Sequence, residues 1–360
     1  MNSGKERLSP SGRRVRGTPR HIVLLRYRRE QGAVAIWFLL FVPALMALGA
    51  LAINVPRLIT VRNELQNAAD ASALAGAAKL TASMNGPDWA DAASGATAAA
   101  SLNKSDGVTL SSGTVQTGYW NLTGTPSTLE AQTIAPGLYD VPAVQVTVMR
   151  DTGRNGGPIA LLLGGFLNVL TTTSSATAVA VAVAPSSVSA GGVFPVVIDK
   201  CILDLYWDAT ANKPKINPST GQPYQFQITN GQLYGGSCNA GQWTSFLVDA
   251  NNVPTVRGLM VNGNPTPLSI GDGIWILPGT KTTLYSTVPV GSTVVLAVAT
   301  QVATKSYAPI VAFAAFHIDG SVGGSGKYIL GHFVGGFPVS VQGGGVGPNY
   351  GAYLAPRLAK

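Results

Sequence analysis

The sequence contains one long apolar stretch, Ala33–Ile53, which reads AVAIWFLLFVPALMALGALAI. It lies within a run from Gln31 to Pro56 that carries no charged residue. A helix needs about 20 apolar residues to cross the hydrocarbon core of a membrane, and within that core it must satisfy its own backbone hydrogen bonds. The stretch therefore predicts a single transmembrane helix at residues 32–56, in which Pro43 is a tolerated kink.

The positive charge of the chain is concentrated before this helix. Residues 1–31 hold nine Lys or Arg and two Glu, a net charge of +7, whereas the remainder carries only +1. Basic flanks stay on the cytoplasmic side, so the charge predicts a basic cytoplasmic tail at 1–31 and an extracytoplasmic position for residues 57–360. Two alternatives are a basic arm that binds nucleic acid and a secretory signal cleaved at Ala50–Ala52.

The helix is expected to continue beyond the membrane. Between Arg57 and Leu80 the sequence has no proline, and side chains recur at spacings of three and four residues, as in one face of a helix. Together with a short helix around Asp88–Leu102, this predicts a helical stalk at 57–104. The stripe packs either on the chain's own outer domain or on a partner helix, and it consists of Leu58, Val61, Leu65, Ala68, Ser72 and Ala75.

The same residues carry a resemblance to a known family. The stretch from Gly32 through Pro43 to RNELQNAADASALAG, which ends at Gly76, closely resembles the N-terminal module of TadE/TadG-like Flp (Tad) pilus-assembly proteins. A later GYWN segment at Gly118–Asn121 and the strands that follow are similar to the longer TadG-like members. The positions of the family motif are Gly32, Pro43, Asn54, Arg57, Leu65, Gln66, Asn67, Ala68, Asp70, Ala71 and Ala75. The chain departs from the family at two places, because relatives usually carry Asp where it has Asn54 and Gly where it has Pro56.

This resemblance implies a function. It suggests an assembly or structural component of a Flp/Tad (tight adherence) pilus apparatus, anchored in a bacterial inner membrane and bearing a periplasmic interaction domain. Its expected partners are the membrane and other pilus-assembly or envelope proteins.

The resemblance also identifies a possible processing site. Pilin-like members of the family are cut after a glycine, here between Gly32 and Ala33, and have Glu at the fifth mature position, where this chain has Trp37. This difference favours an unprocessed anchor over a minor pseudopilin that enters the filament. A generic anchored adhesin or enzyme is a third hypothesis.

The outer region is expected to be mainly β, which gives an α+β fold overall. Residues 105–190 form a predicted small α/β region, 191–342 a β-rich, sandwich-like domain and 343–360 a flexible tail. Whether 105–342 make one domain or two is left open. Alternating strands are predicted at Val141–Val148 and Ser174–Ala184, and further strands at Val193–Ile198, Tyr224–Thr229, Thr244–Val248, Ile274–Leu277, Thr282–Val288, Thr293–Ala299, Ile310–Ile318 and Tyr328–Val334.

Two features of the outer region need separate interpretation. The apolar stretch Pro158–Leu170 is too short to span a membrane and is interpreted as a buried helix. Cys201 and Cys238 are the only cysteines. In an oxidising compartment they would form a disulfide, and two free thiols are the alternative.

The sequence offers little for catalysis or ligand binding. The glycine-rich segment Gly323–Lys327 lacks the spacing of a phosphate-binding loop and predicts a hairpin turn. Asp319–Gly323 only partly resembles a metal-dependent adhesion site. His317 and His332 have no neighbouring pair of carboxylates at ligand spacing. We therefore expect no enzyme activity, cofactor or metal, and no nucleic-acid or small-molecule partner.

Overall fold

The computed structural model describes residues 31–83, 85–229, 233–279, 281–341 and 345–360, with only the backbone of residues 31–33. The predicted basic tail at 1–31 lies outside the described residues, apart from Gln31. Within them the chain forms an α+β structure with a long N-terminal helix and a mainly β outer region, which confirms the predicted fold class.

The longest element is helix α1, Gln31–Leu80, of 50 residues. At 1.5 Å per residue it is about 75 Å long, and it continues through Pro43 and Pro56. Its first part exposes almost every large apolar side chain. In the described part of the chain, α1 is the one helix whose length and composition are sufficient to cross a membrane.

The second part of α1 packs on the chain's own outer region. Most of the predicted stripe is buried there, and α1 contacts a second helix, α2, at Trp89–Ala100. The two helices approach closely at Gly76, where a Cβ would lie 2.8 Å from the Ala92 carbonyl oxygen and 2.9 Å from the Ala96 Cβ. The stripe therefore packs on the chain's own outer domain, which is one of the two alternatives that the sequence left open.

A four-stranded antiparallel sheet lies beneath these helices. Its strands β1 (Thr114–Asn121), β2 (Asp140–Arg150) and β3 (Ser174–Val181) are neighbours in the order β3-β2-β1. The alternation predicted at Val141–Val148 is present, because Val144, Val146 and Val148 all face the helices. A fourth strand, from the end of the chain, pairs with the free edge of β3.

The larger sheet has seven strands and follows in the sequence. They are β4 (Val196–Asp199), β5 (Phe226–Ile228), β6 (Gly241–Trp243), β7 (Gly273–Ile276), β8 (Thr293–Ala299), β9 (Ser306–Val322) and β10 (Tyr328–Phe333). Six of these strands are ordered β5-β10-β9-β8-β4-β6, and β7 pairs with β9. Strands β4 and β8 are parallel, and every other neighbouring pair is antiparallel.

Both faces of this sheet are buried. Alternate residues of β8 contribute to two separate apolar clusters, with Leu296 in one and Val295 in the other. Instead of a second large sheet, short helices and ribbons supply the covering layers. They include α3 (Lys200–Tyr206), α4 (Val253–Asn262) and the ribbon that pairs Ser187–Val188 with Leu268–Ser269.

The remaining strands are two-residue ribbons. They pair Lys104–Ser105 with Val108–Thr109, Ile159–Ala160 with Thr171–Thr172, Trp207–Asp208 with Lys213–Pro214, Leu233–Tyr234 with Cys238–Asn239, and Phe337–Pro338 with Ala352–Tyr353.

Two predicted strands are wrong. Thr244–Val248 contains a 3-10 turn at Phe246–Val248, and Thr282–Val288 contains another at Tyr285–Thr287. In the first, the Thr244 hydroxyl accepts a hydrogen bond from the Phe246 N–H at 3.0 Å, and Phe246 has φ of 56°. This local bond bends the backbone away from an extended conformation.

The predicted buried helix at Pro158–Leu170 is also wrong. The segment forms the short strands Ile159–Ala160 and Thr171–Thr172 around a 3-10 turn at Gly164–Leu167, and most of its apolar side chains are exposed. A Cβ at Gly164 would lie against the Val169 carbonyl oxygen, so the backbone closes on itself too tightly for an α-helix.

The end of the chain is ordered, in contrast to the flexible tail expected at 343–360. Residues 345–360 are described, and they return to the first sheet. Strand β11, Arg357–Leu358, pairs antiparallel with β3, and Tyr353 lies in the apolar cluster beneath α1. The long-range pairing of β11 with β3 therefore holds this segment in place, although its glycine-rich composition predicts a flexible tail.

Candidate functional site

The site of interest is the place where α1 leaves its exposed apolar part and first meets the outer region. We call it the helix-exit junction and define it by Asn54, Arg57 and Glu64 of α1 with their partners Asp106, Ala160 and Leu162. It joins the predicted membrane segment to the folded domain.

Asn54 makes the first of these connections. Its side chain is only 3% exposed. The Asn54 amide nitrogen donates to the Leu162 carbonyl oxygen at 2.5 Å, and the Leu162 N–H donates to the Asn54 Oδ1 at 2.8 Å. A carboxamide can do both because it carries a donor and an acceptor. Asn54 therefore holds the backbone at Leu162 against α1.

Arg57 and Glu64 hold the second connection. Arg57 Nη2 lies 2.7 Å from Asp106 Oδ2, and Arg57 Nη1 donates to the Ala160 carbonyl oxygen at 2.6 Å. Two turns further along α1, Glu64 Oε2 accepts a hydrogen bond from the Asp106 N–H at 2.6 Å. Two charged side chains of the helix thus fix one hairpin residue. Sequence reasoning identified Arg57 but missed Glu64, Asp106 and Leu162.

The family-motif residues divide into buried and exposed positions. Leu65 and Ala68 are fully buried in the apolar cluster, and Ala75 is half-buried. Asn67 and Ala71 face solvent one turn apart. Packing within the chain accounts for the buried positions but leaves this exposed pair unexplained.

Gln66 and Asp70 lie between these two faces. The Gln66 amide nitrogen donates to Asp70 Oδ1 at 2.7 Å, along the same face of α1. It also lies 3.5 Å from the Thr177 carbonyl oxygen of β3. The pair therefore borders the contact between helix and sheet.

The possible processing site and Pro43 lie in the apolar part of α1. Gly32 and Ala33 belong to the helical backbone, and the side chain of Ala33 is not among the described ones. Pro43 lies within the exposed apolar stretch.

The predicted disulfide is present, in the second part of the outer region. Cys201 of α3 is bonded to Cys238, and their Cα atoms are 5.8 Å apart. The bond attaches α3 to the ribbon Leu233–Tyr234 and Cys238–Asn239. It does not touch the helix-exit junction.

The two histidines of the second sheet are brought together. His317 and His332 are cross-strand partners, with ring centroids 5.4 Å apart. His332 Nδ1 lies 2.7 Å from Asp319 Oδ2, and His317 Nδ1 lies 2.9 Å from the Thr293 hydroxyl. Among the described residues no group of three or more His, Cys, Asp or Glu is placed to hold a metal ion. Gly323–Lys327 forms the turn between β9 and β10.

Two protein-family models match the part of the chain that contains the junction. Residues 32–79 match the family described as "Putative Flp pilus-assembly TadE/G-like", and residues 75–180 match "Putative Tad-like Flp pilus-assembly". Together the two matches cover residues 32–180. The matched region contains α1 from Gly32, α2, β1, β2, β3 as far as Ala180 and the whole junction. Neither curated proteins nor solved structures give a significant match.

The Tad match covers only one part of the chain. It ends within β3, before the seven-stranded sheet begins. The disulfide and the paired histidines therefore lie outside the Tad region.

We expect Asn54→Leu to destabilise the junction. The change removes both partners of the Leu162 backbone, so the free energy of unfolding should fall by about 1–3 kcal/mol. Thermal unfolding of the purified chain in detergent, followed by tryptophan fluorescence, measures this. Asn63→Leu is the matched control, because Asn63 is exposed on the same helix. An equal loss of stability in both variants would contradict the assigned role of Asn54.

Proposed function

We propose that this chain is a membrane-anchored assembly or structural component of a Flp/Tad-type pilus apparatus. The observation that carries the proposal is the Tad match over residues 32–180, which includes the one apolar helix. In this function α1 anchors the chain in the inner membrane, and the outer region contacts other pilus-assembly or envelope proteins.

The proposed orientation places the basic tail in the cytoplasm and residues 57–360 in the periplasm. Two observations support it. The excess of Lys and Arg precedes the apolar stretch, as expected for a cytoplasmic flank. The outer region contains the Cys201–Cys238 disulfide, and disulfides persist in oxidising compartments such as the bacterial periplasm.

The exposed motif pair supplies a candidate partner surface. Asn67 and Ala71 belong to the Tad motif but face solvent, so we assign them to contact with another pilus-assembly protein. They lie 14 and 18 residues beyond Ile53, about 21 and 27 Å along the axis of α1, so the partner surface would be on the periplasmic side, clear of the membrane.

Loss of the gene is expected to abolish or strongly reduce surface pili. A complemented deletion strain that carries Asn67→Arg and Ala71→Arg should remain defective, because two long charged side chains block close packing. Ser94→Arg and Ala98→Arg form the matched control, since these exposed residues are also one turn apart, on α2. Counting pili by electron microscopy gives the result.

One control and two possible outcomes make this experiment decisive. Immunoblotting of the membrane fraction checks that each variant is present at the wild-type level. Unchanged piliation in the deletion strain would refute the proposed function. Normal piliation with the Asn67 and Ala71 variant would refute only the assigned surface.

Processing separates a permanent anchor from a pseudopilin. We expect the protein recovered from the membrane fraction to retain its N-terminus, because Trp37 replaces the Glu that the peptidase site requires in pilin-like relatives. N-terminal sequencing and intact mass measure this. A start at Ala33 would instead support a processed minor pilin, which should then be found in sheared pili.

A further inference from the structure

The segment from Pro158 to Leu170, PIALLLGGFLNVL, is apolar and yet uncovered. It has no charged residue, and Asn168 is its one polar side chain. Five large apolar side chains are between 43% and 71% exposed, namely Leu162, Leu163, Phe166, Val169 and Leu170. A contiguous exposed apolar patch of this kind marks a surface that is covered by something else.

The segment is a compact turn that holds these side chains in place. The Leu161 N–H donates to the Leu170 carbonyl oxygen at 2.9 Å, which closes the base of the turn. Gly164 is buried against the Val169 carbonyl oxygen. We call residues 161–170 the apolar turn. Its exposed side chains are therefore a fixed feature of the outer region.

The position of the apolar turn along α1 indicates what covers it. The turn contacts α1, and Asn54 bonds to Leu162. Ala50 and Asn54, one helical turn apart, are the first fully buried side chains of α1. Ala50 still lies inside the apolar stretch that ends at Ile53. The first charged residue, Arg57, comes four residues after Ile53, about 6 Å further along the helix axis.

The surface of α1 beside Ala50 and Asn54 is also apolar. Leu51, Ile53 and Val55 are each about half exposed and lie at the same level of the helix as Ala50 and Asn54. A helix that starts at Ala33 crosses about 30 Å of hydrocarbon by Ile53. With α1 spanning the membrane from Ala33, the apolar turn would lie where the hydrocarbon meets the headgroups, next to the exposed apolar surface of the helix.

We propose that the apolar turn inserts into the outer margin of the membrane that α1 spans and is a second membrane contact. The occupant of the patch is lipid, namely the upper acyl chains and the headgroup interface. Interfacial segments bury apolar side chains about 5–10 Å into this boundary. The inference rests on the proposed membrane anchoring by α1. Two contacts would fix the orientation of the outer region relative to the membrane.

Site-directed spin labelling tests this inference on the whole chain. Both native cysteines are in the disulfide, so an introduced cysteine is the only free thiol. Phe166→Cys and, as a second position, Leu170→Cys place the nitroxide on the apolar turn. Leu45→Cys reports on the proposed span. Val261→Cys, 81% exposed on α4, is the aqueous control.

The measurement is the collision rate of each nitroxide with oxygen, which concentrates in lipid, and with a water-soluble nickel chelate. The chain is reconstituted in vesicles of phosphatidylethanolamine and phosphatidylglycerol without any partner protein. We expect the oxygen-to-nickel ratio at Phe166 and Leu170 to be several-fold above that at Val261 and closer to that at Leu45.

The outcomes separate this inference from the proposed anchoring. A lipid-like ratio at Leu45 with an aqueous ratio at Phe166 and Leu170 would overturn the inference and leave the anchor intact. Aqueous ratios at all three would overturn both. Low collision rates with both reagents at the turn would indicate a protein contact, such as a second copy, and would also overturn lipid as the occupant.

Discussion

Tyr353→Ala is expected to lower the free energy of unfolding by about 3–5 kcal/mol, the range for removing a fully buried aromatic side chain. Tyr353 is 2% exposed and lies in the apolar cluster beneath α1. Its loss leaves a cavity between the helices and the returning end of the chain. Chemical denaturation of the purified chain in detergent measures the change.

A second variant at Tyr353 separates packing from hydrogen bonding, and a variant at Leu358 is the control. The Asn349 amide nitrogen donates to the Tyr353 hydroxyl at 2.5 Å, and burial strongly raises the pKa of Tyr353, so the hydroxyl stays protonated. Tyr353→Phe keeps the ring and should cost only about 1 kcal/mol. Leu358→Ala, at a side chain 42% exposed on β11, should change stability by less than about 1 kcal/mol. Equal losses in Tyr353→Ala and Leu358→Ala would contradict the packing assigned to Tyr353.

Removal of the disulfide is expected to have an effect of similar size. Cys201 and Cys238 close a loop with a sequence separation of 37. The chain-entropy relation gives about 3–4 kcal/mol for a loop of this length. The double variant Cys201→Ser and Cys238→Ser should lose this stability, with the core beneath α3 affected most.

A reducing agent provides the matched control. Reduced wild type should unfold at the same denaturant concentration as the double variant, because both lack the cross-link. The reductant should leave the double variant unchanged. Resistance of the wild type to reductant, together with full stability of the double variant, would show that the bond contributes nothing to the folded state.

The sequence was sufficient where local pattern and tertiary structure agree. The apolar run predicted α1, and the alternation at Val144–Val148 predicted β2, because each has one dominant period and no competing side-chain interaction. The presence of two cysteines in a region expected to be oxidising predicted the disulfide. Pairing of Asn54 with Leu162, across 108 residues, left no local signal and could not be found this way.

The failures have distinct physical causes. At Thr244–Val248 the hydrogen bond from the Phe246 N–H to the Thr244 hydroxyl bends the backbone, although the β-branched residues of the segment favour a strand. Helix α4 was missed although its start signal was present, since Asn252 caps it and Pro254 occupies its first turn. The apolar turn was mistaken for a buried helix because apolar composition alone does not distinguish an interior position from an exposed one.

The pairing of β11 with β3 has a consequence for the order of biosynthesis. In the proposed orientation, strand β3 leaves the ribosome and crosses the membrane before any residue of the seven-stranded sheet, and β11 follows after all of them. During export the first sheet therefore has an open edge, and a late, long-range contact closes it. An interrupted translocation would leave that edge free to pair with other chains, so a periplasmic chaperone or protease would find its substrate there.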